Sequence, residues 1–428
     1  MSESLDVYMD GEIIGCLSSG SGQVTFSYDS EYGGVVPLSL SMPLRRRKHS
    51  NKAVLPFIWG LLPDNEQALR NMASEAGTSA KSPFGILRVH GADVAGALQI
   101  LPPGVESSDA RRKSVDNAED ILDDKALEGL MLHTLDRYTQ RRPDYGEAFK
   151  FSIAGAQPKI ALSANTSGDF VVPSKDFATT HIVKPNYIDS DYFISDVEAT
   201  EMVSLGAAAL CGMRTSQTSL WTSPSGNIRA LIVKRYDRYV SADGLVHRLH
   251  QEDLCQALSV LPEKKYQHRH GGPGIGAIGQ LIRSAVPRED RVHVGEDFFR
   301  ALVFNVGILG TDAHAKNYSL LLDSRVSLSP LYDVISAAAH IGPDTPAYFP
   351  MKVGDTYELS SITPETLAKE GAKVGLNPDT SDEIVRDVLG KIPQAVEHAA
   401  RQVGREDIAD RLLEGIERYS PVRWVNAA

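Results

Sequence analysis

An acid, an amide five residues later and a second acid beyond a short apolar excursion, Asp312, Asn317 and Asp333, constrain this chain more than any other pattern in it. Between Asn317 and Asp333 the segments Tyr318-Ser-Leu-Leu-Leu322, Asp323-Ser324-Arg325 and Val326-Ser-Leu-Ser329 read as strand, turn and strand, which predicts a hairpin that returns Asp333 beside Asn317. Hard oxygen donors at the two ends of one hairpin suit Mg²⁺ held against phosphates. Asp312 then has the spacing of a carboxylate that orients an attacking hydroxyl in phosphoryl transfer. Phe298–Leu309, apolar nearly all round, predicts a buried helix that supports the loop. His314, inside the loop, either donates to a phosphate oxygen or braces the loop.

Composition narrows the classes. A chain of 428 residues with 42% hydrophobic content can form two or three packed domains. No apolar run is long enough to span a bilayer, and Met1-Ser-Glu-Ser-Leu-Asp6 has neither a basic region nor an apolar stretch, so a cytoplasmic protein with no membrane partner is expected. Cys16, Cys211 and Cys255 are isolated, as buried thiols of a reducing compartment are. A formal charge of −11 argues against nucleic acid as the main ligand. The basic runs Arg45-Arg46-Arg47-Lys48, Arg111-Arg112-Lys113 and Lys264-Lys265 read as solvated loops; the last, with Arg269, has a rival use as a patch that steers an acidic acceptor. His247, His250, His268 and His270 lack ligand spacing, so they are read as loop or site-lining residues and no zinc is expected.

Residues 1–104 read as a small α/β subdomain that opens on a hairpin, Leu5–Met9 and Glu12–Cys16, turned at Asp10-Gly11. Further short strands up to Leu38–Met42, a helix from near Glu66 and a strand Ala97–Leu101 follow. The polar stretch 105–117 is the linker candidate. Residues 118–238 alternate helix and strands, and 239–428 read mainly helical, with helices around 363–374 and 381–403. The expected fold is therefore α+β, with a two-lobed protein-kinase-like core: a β-rich small lobe with its phosphate loop, an α-helical large lobe with the catalytic loop, and a hinge at Lys234–Arg238.

In the small lobe, Ser152-Ile-Ala-Gly-Ala-Gln-Pro-Lys159 is a small-residue turn whose amides, around Gly155, can approach phosphate oxygens; without the downstream residues it would read as a plain turn. Lys159 either touches a phosphate or lies on the surface. Lys184 ends an apolar strand and needs an anionic partner. Ser195-x-x-Glu198 is a capping box for a helix on which Val197, Glu201, Leu205 and Ala208 form one face. Lys184 and Glu201 answer each other's desolvation, either as the pair that positions ATP phosphates or as a structural ion pair.

Taken together, Ser152–Lys159, Arg248-Leu-His-Gln-Glu-Asp-Leu-Cys-Gln256, Gly271-Gly-Pro-Gly274, Thr311–Asn317 and Leu331-Tyr-Asp-Val-Ile-Ser336 resemble the HipA serine/threonine kinases, toxins of HipBA-type toxin–antitoxin pairs. The resemblance covers most of the chain, including Leu61-Leu-Pro-Asp64. It implies ATP phosphates at Ala154, Gly155, Ala156, Gln157, Lys159 and Lys184, and adenine against Lys234, Arg235 and Tyr236 with Gln251 nearby. It further implies catalysis by Asp312 with His314 assisting, and Mg²⁺ on Asn317 and Asp333. Ser152 occupies the family's autophosphorylation site, which switches the kinase off. The implied partners are a HipB-like helix-turn-helix antitoxin, operator DNA only through that complex, and a protein substrate, an aminoacyl-tRNA synthetase with glutamyl-tRNA synthetase the first guess. Lys234 and Pro158 depart from the best-known member, which has glutamate at both places. The rival readings are a non-catalytic operon co-repressor and a small-molecule or lipid kinase.

Overall fold

The computed structural model describes residues 3–138, 157–172, 174, 177–188, 196–342 and 345–425. The fold is α+β and separates into two compact units. One takes in the described residues up to 188, Gln217–Glu252 and Leu321–Ser324 and holds most of the strands; the other, Asp196–Ser216, Asp253–Leu320 and Arg325 onward, is mainly helical.

The first unit opens as its sequence predicts. Glu3–Met9 and Glu12–Gly20 form an antiparallel hairpin through Asp10 and Gly11, both at positive φ (49° and 91°), the signature of a primed two-residue turn. The complete sheet runs Lys48–His49, Gln23–Tyr28, Glu12–Gly20, Glu3–Met9, Leu98–Leu101. Val24, Phe26 and Tyr28 alternate inward, and Phe57, Ile58, Ile86 and Leu87 of two helices, Asn51–Gly60 and Pro83–His90, share their core. The segment Leu38–Met42 is not a strand. The hydroxyl of Tyr28 accepts from the Leu38 amide at 2.8 Å and donates to the Met42 carbonyl at 2.5 Å, so a side chain satisfies groups that a ladder would otherwise pair.

The second sheet has the order Phe170–Val171, Ile160–Ala164, His181–Tyr187, Ile228–Lys234, Thr218–Thr222. Leu127, Met131 and Leu135 of helix Asp124–Tyr138 lie on Ile160, Leu162, Val183 and Ile228. The strand from His181 runs past Lys184, and its Pro185 sits opposite Ala230 beyond the last residue paired to Ile160–Ala164, where a missing N–H is tolerated. The stretch 105–117 is anchored within the same unit: Ser107 Oγ donates to Gln99 at 2.5 Å, and the Asp109 carboxylate accepts from Arg248 at 2.6 Å.

In the helical unit, Arg291–Gly307 is the predicted buried helix, extended at its amino end by a polar first half. Pro378–Gln402 packs against it and against Val197–Leu210. Gly307 lets the two approach: a Cβ there would lie 2.3 Å from Ile392 Cδ1. Ser195, read as the cap of Val197–Leu210, lies outside the described residues. The N-cap is Asp196 at φ 58°, whose carboxylate makes no capping bond and instead pairs with Arg405 (2.9 Å) and Arg411 (3.0 Å). Arg405 and Arg411 belong to the chain's last long segment, where the helix Glu406–Tyr419 was not anticipated although Ile408, Leu412, Ile416 and Tyr419 carry a clear helical stripe. Among the described residues no helix is long and apolar enough to cross a membrane.

Candidate active site

The loop around Asp312 begins where Arg291–Gly307 ends. The Leu309 amide donates to Val306 O at 3.3 Å and the Gly310 amide to Asn305 O at 2.7 Å, a Schellman closure with leucine in the left-handed position (φ 60°), where glycine is usual. A leucine there costs about 1 kcal/mol of backbone strain. Its buried side chain and the Ala337 amide bonded to its carbonyl (3.0 Å) hold it in place.

Beyond that turn the loop is knit by its own backbone. The His314 amide donates to Asp312 O (2.7 Å), the Asn317 amide to His314 O (2.9 Å), and Asn317 Nδ2 also to Asp312 O (2.8 Å). The last bond fixes the Asn317 amide and presents its Oδ1 as the acceptor. Asp312 leaves its side chain 58% exposed, whereas His314 is buried with Nε2 3.7 Å from Asp312 Oδ1. Lys316 is buried and paired at 2.9 Å with Asp253, which caps the short helix Leu254–Ala257 in a reciprocal capping box with Gln256.

The hairpin forms as predicted from Ser319–Leu322 and Val326–Leu328. Tyr332 closes it: its hydroxyl donates to Lys316 O at 3.0 Å and accepts from Ser319 Oγ at 2.6 Å, tying the residue before Asp333 to the residue before Asn317. Asp333 sits at φ 51°, a conformation aspartate tolerates better than most. Among the described residues no three His, Cys, Asp or Glu side chains converge as a metal cluster. That donor set does fit Mg²⁺, which takes one or two protein oxygens and fills its octahedron with phosphate oxygens and water, and it does not fit zinc.

Sequence reasoning missed a further member of this site. Tyr266, between Pro262–Lys264 and Gln267–His270, donates its hydroxyl to Asp312 Oδ1 and sets its ring edge-on to His314, with centroids 4.7 Å apart at 86°. Lys265 Nζ and Arg269 Cζ lie 5.7 and 5.4 Å from that ring, so the basic run flanks a residue bonded to Asp312. No local signal links positions 46 apart in the chain.

The described residues expected at the nucleotide lie in the strand-rich unit, except Glu201. Ser152, Ala154, Gly155 and Ala156 lie outside the described residues. Gln157 and Lys159 are half-buried ahead of Ile160–Ala164, and Lys184 is buried in the adjacent strand, opposite Leu231. Glu201 is buried on Val197–Leu210 in the helical unit. Tyr236 and Gln251 do meet, through a 3.0 Å hydrogen bond from the tyrosine hydroxyl. Lys234 is exposed at the end of its strand, opposite His181; burial, with the Lys234 charge adding, pushes that imidazole down to about 4.

The Arg235 side chain is buried. Its guanidinium donates four hydrogen bonds inside the protein, two to Asp237 (2.9 Å), one to Thr179 Oγ1 (2.9 Å) and one to Val94 O (3.0 Å). It belongs to a buried ionic network. Asp93 Oδ1 takes Arg248 at 2.6 Å and Arg238 at 3.0 Å, and Arg248 also takes Asp109. Burial alone would raise the Asp93 carboxyl, but Arg248, Arg235 and Arg238 hold it well below the usual carboxylate range; Asp237, against Arg235 and Arg238, is likewise held down at about 2. Gly96 (φ 77°) completes the cluster, its amide on Asp237 and its carbonyl on Arg238, where a Cβ would press His250 and the Gln251 backbone at 3.0 Å. His250 is itself a buried core residue, donating Nε2–H to Leu38 O at 3.0 Å.

Comparison with known proteins agrees along the whole chain. The family model described as the HipA-like C-terminal domain matches residues 151–396, more than half of the chain, and that of the HipA N-terminal domain matches residues 5–101. A protein of Sinorhizobium fredii named "Putative kinase Y4mE" is 35% identical over 96% of this chain and 94% of its own length. The "Serine/threonine-protein kinase toxin HipA" of Shewanella oneidensis is 26% identical over 92% of this chain and 88% of its own length. A solved complex of HipA, HipB and operator DNA from Shewanella oneidensis MR-1 shares the fold, with a TM-score of 0.77, 24% identity and 99% of both chains covered.

Proposed function

The chain belongs to the HipA family and is a kinase of that type, and from this premise we propose that it transfers the γ-phosphoryl group of ATP to a serine or threonine hydroxyl of a protein. The observation that carries the reading is the loop Asp312–Asn317, which keeps one carboxylate exposed while Lys316 is paired with Asp253 and the Asn317 amide nitrogen is held by Asp312 O. Asp312 accepts or orients the acceptor hydroxyl proton as the new O–P bond forms and the bond to the ADP oxygen breaks. His314, buried against Tyr266, braces the loop from which Asp312 projects. Asn317 Oδ1 and the Asp333 carboxylate hold Mg²⁺, which when bound neutralises phosphate charge. Gln157, Lys159 and Lys184, with Ala154, Gly155 and Ala156, hold the phosphates. Tyr236, Gln251 and the backbone at Lys234 and Arg235 receive adenine.

By its likeness to the kinase toxins, the chain acts on an aminoacyl-tRNA synthetase and is neutralised by a HipB-like antitoxin, through which alone it reaches operator DNA. Autophosphorylation at Ser152 would place between one and two negative charges next to the phosphate turn and switch the enzyme off. Incubation with [γ-³²P]ATP, Mg²⁺ and a cell lysate tests the reading. Label in a protein of synthetase size is expected, label in a small molecule or lipid would redirect the substrate class, and no label in any fraction would leave only the co-repressor.

A further inference from the structure

We propose that Tyr266 is a positioning residue for phosphoryl transfer, holding the Asp312 carboxylate in the orientation in which it meets the acceptor hydroxyl. The inference rests on Asp312 as the carboxylate that receives that hydroxyl. An aspartate 58% exposed on a loop has little packing to fix its terminal torsion, which is intrinsically broad. His314 Nε2, at 3.7 Å, is too far to fix it by a hydrogen bond. The Tyr266 hydroxyl does reach Asp312 Oδ1, and a donor to an ionised acceptor makes one of the stronger hydrogen bonds.

Tyr266 is itself well held. Its ring meets the buried His314 edge-on, and its carbonyl accepts from the His270 and Gly272 amides, each at 3.1 Å. The turn that brings Gly272 back is closed so tightly that a Cβ there would fall 1.8 Å from Lys264 O. Thus Gly271-Gly-Pro-Gly274, noted in the sequence without an assigned purpose, lets the chain double back and fix the tyrosine over the carboxylate. The pieces form a relay: glycine turn, tyrosine, carboxylate.

Tyr266→Phe tests this in the full-length protein, because it deletes the hydroxyl and keeps the ring on His314. With [γ-³²P]ATP and Mg²⁺, phosphoryl transfer to the protein itself and to water should fall about tenfold in kcat, with KM for ATP and the melting temperature unchanged. In an Asp312→Asn background the same substitution should cause no further loss, since both changes act through one carboxylate. A Phe variant as fast as the parent or faster would overturn the inference, the faster result showing that the hydroxyl obstructs the acceptor. A second tenfold loss on top of Asp312→Asn would also overturn it, as packing alone would then explain the effect. If Asp312→Asn keeps the parental rate, the assignment of Asp312 falls first and takes this one with it.

Discussion

Two sets of charged side chains in this molecule are built on opposite plans. In the strand-rich unit, Asp93, Asp109 and Asp237 meet Arg235, Arg238 and Arg248 in a cluster in which all six residues are buried and the formal charges cancel. In the helical unit, Asp312 is left exposed while Lys316, four residues on, is buried against Asp253. The first arrangement spends its charges on one another, each carboxylate against at least one guanidinium. The second keeps one carboxylate at the surface on a loop held by its own backbone bonds and by the Lys316–Asp253 pair, the arrangement proposed to receive an incoming hydroxyl. Arg235 shows the use of the contrast: its place in the sequence suggested a nucleotide contact, and since its buried guanidinium is bonded to Asp237, Thr179 and Val94, that contact is proposed for its backbone alone.

The comparison can be broken at its structural end first. Asp93→Ala leaves three buried guanidinium groups with one counterion fewer, and should cost about 3–5 kcal/mol of stability. Urea denaturation checks this, and a loss below about 1 kcal/mol would mean that the cluster is not a folding element. A second test uses pH. Burial pushes His250 down to about 4 from its ordinary 6.5, so on acidification the unfolded chain takes up the proton first. The stability due to the neutral ring is present above pH 6.5 and is lost as pH falls through 4, on the order of 3 kcal/mol. Urea midpoints at pH 7 and 4.5 should differ less in His250→Gln than in the parent.

Smaller effects sharpen the catalytic end. Asp333→Ala should weaken Mg²⁺–ATP binding about tenfold, roughly 1.4 kcal/mol, with little change in melting temperature, as read by calorimetric titration. Charge reversal at Lys264 and Lys265, which flank Tyr266, should slow phosphorylation of the protein acceptor a few-fold, more so at low salt, and leave self-phosphorylation unchanged. Equal rates at every ionic strength would return this pair to an ordinary solvated loop.

The sequence exposed one of these regions and hid the other, for a physical reason. The hairpin from Ser319 to Leu328, the helix before it and the primed turn at Asp10-Gly11 depend on local period and turn chemistry, which a single sequence carries. The ionic cluster joins Asp93 to residues more than 140 positions away, and nothing local distinguishes Arg248 from a surface arginine. Tyr266 was invisible on the same grounds, and Leu38–Met42 misled because a hydroxyl, not a neighbouring strand, satisfies its backbone. Tertiary polar contacts of this kind are legible only once the chain is folded.

The central claim, that the exposed carboxylate of the loop performs the chemistry, is tested most directly by Asp312→Asn. Transfer of ³²P from Mg²⁺–ATP should fall at least about a hundredfold, about 2.7 kcal/mol, while nucleotide affinity and melting temperature stay at parental values. Near-parental transfer by Asp312→Asn would contradict the account.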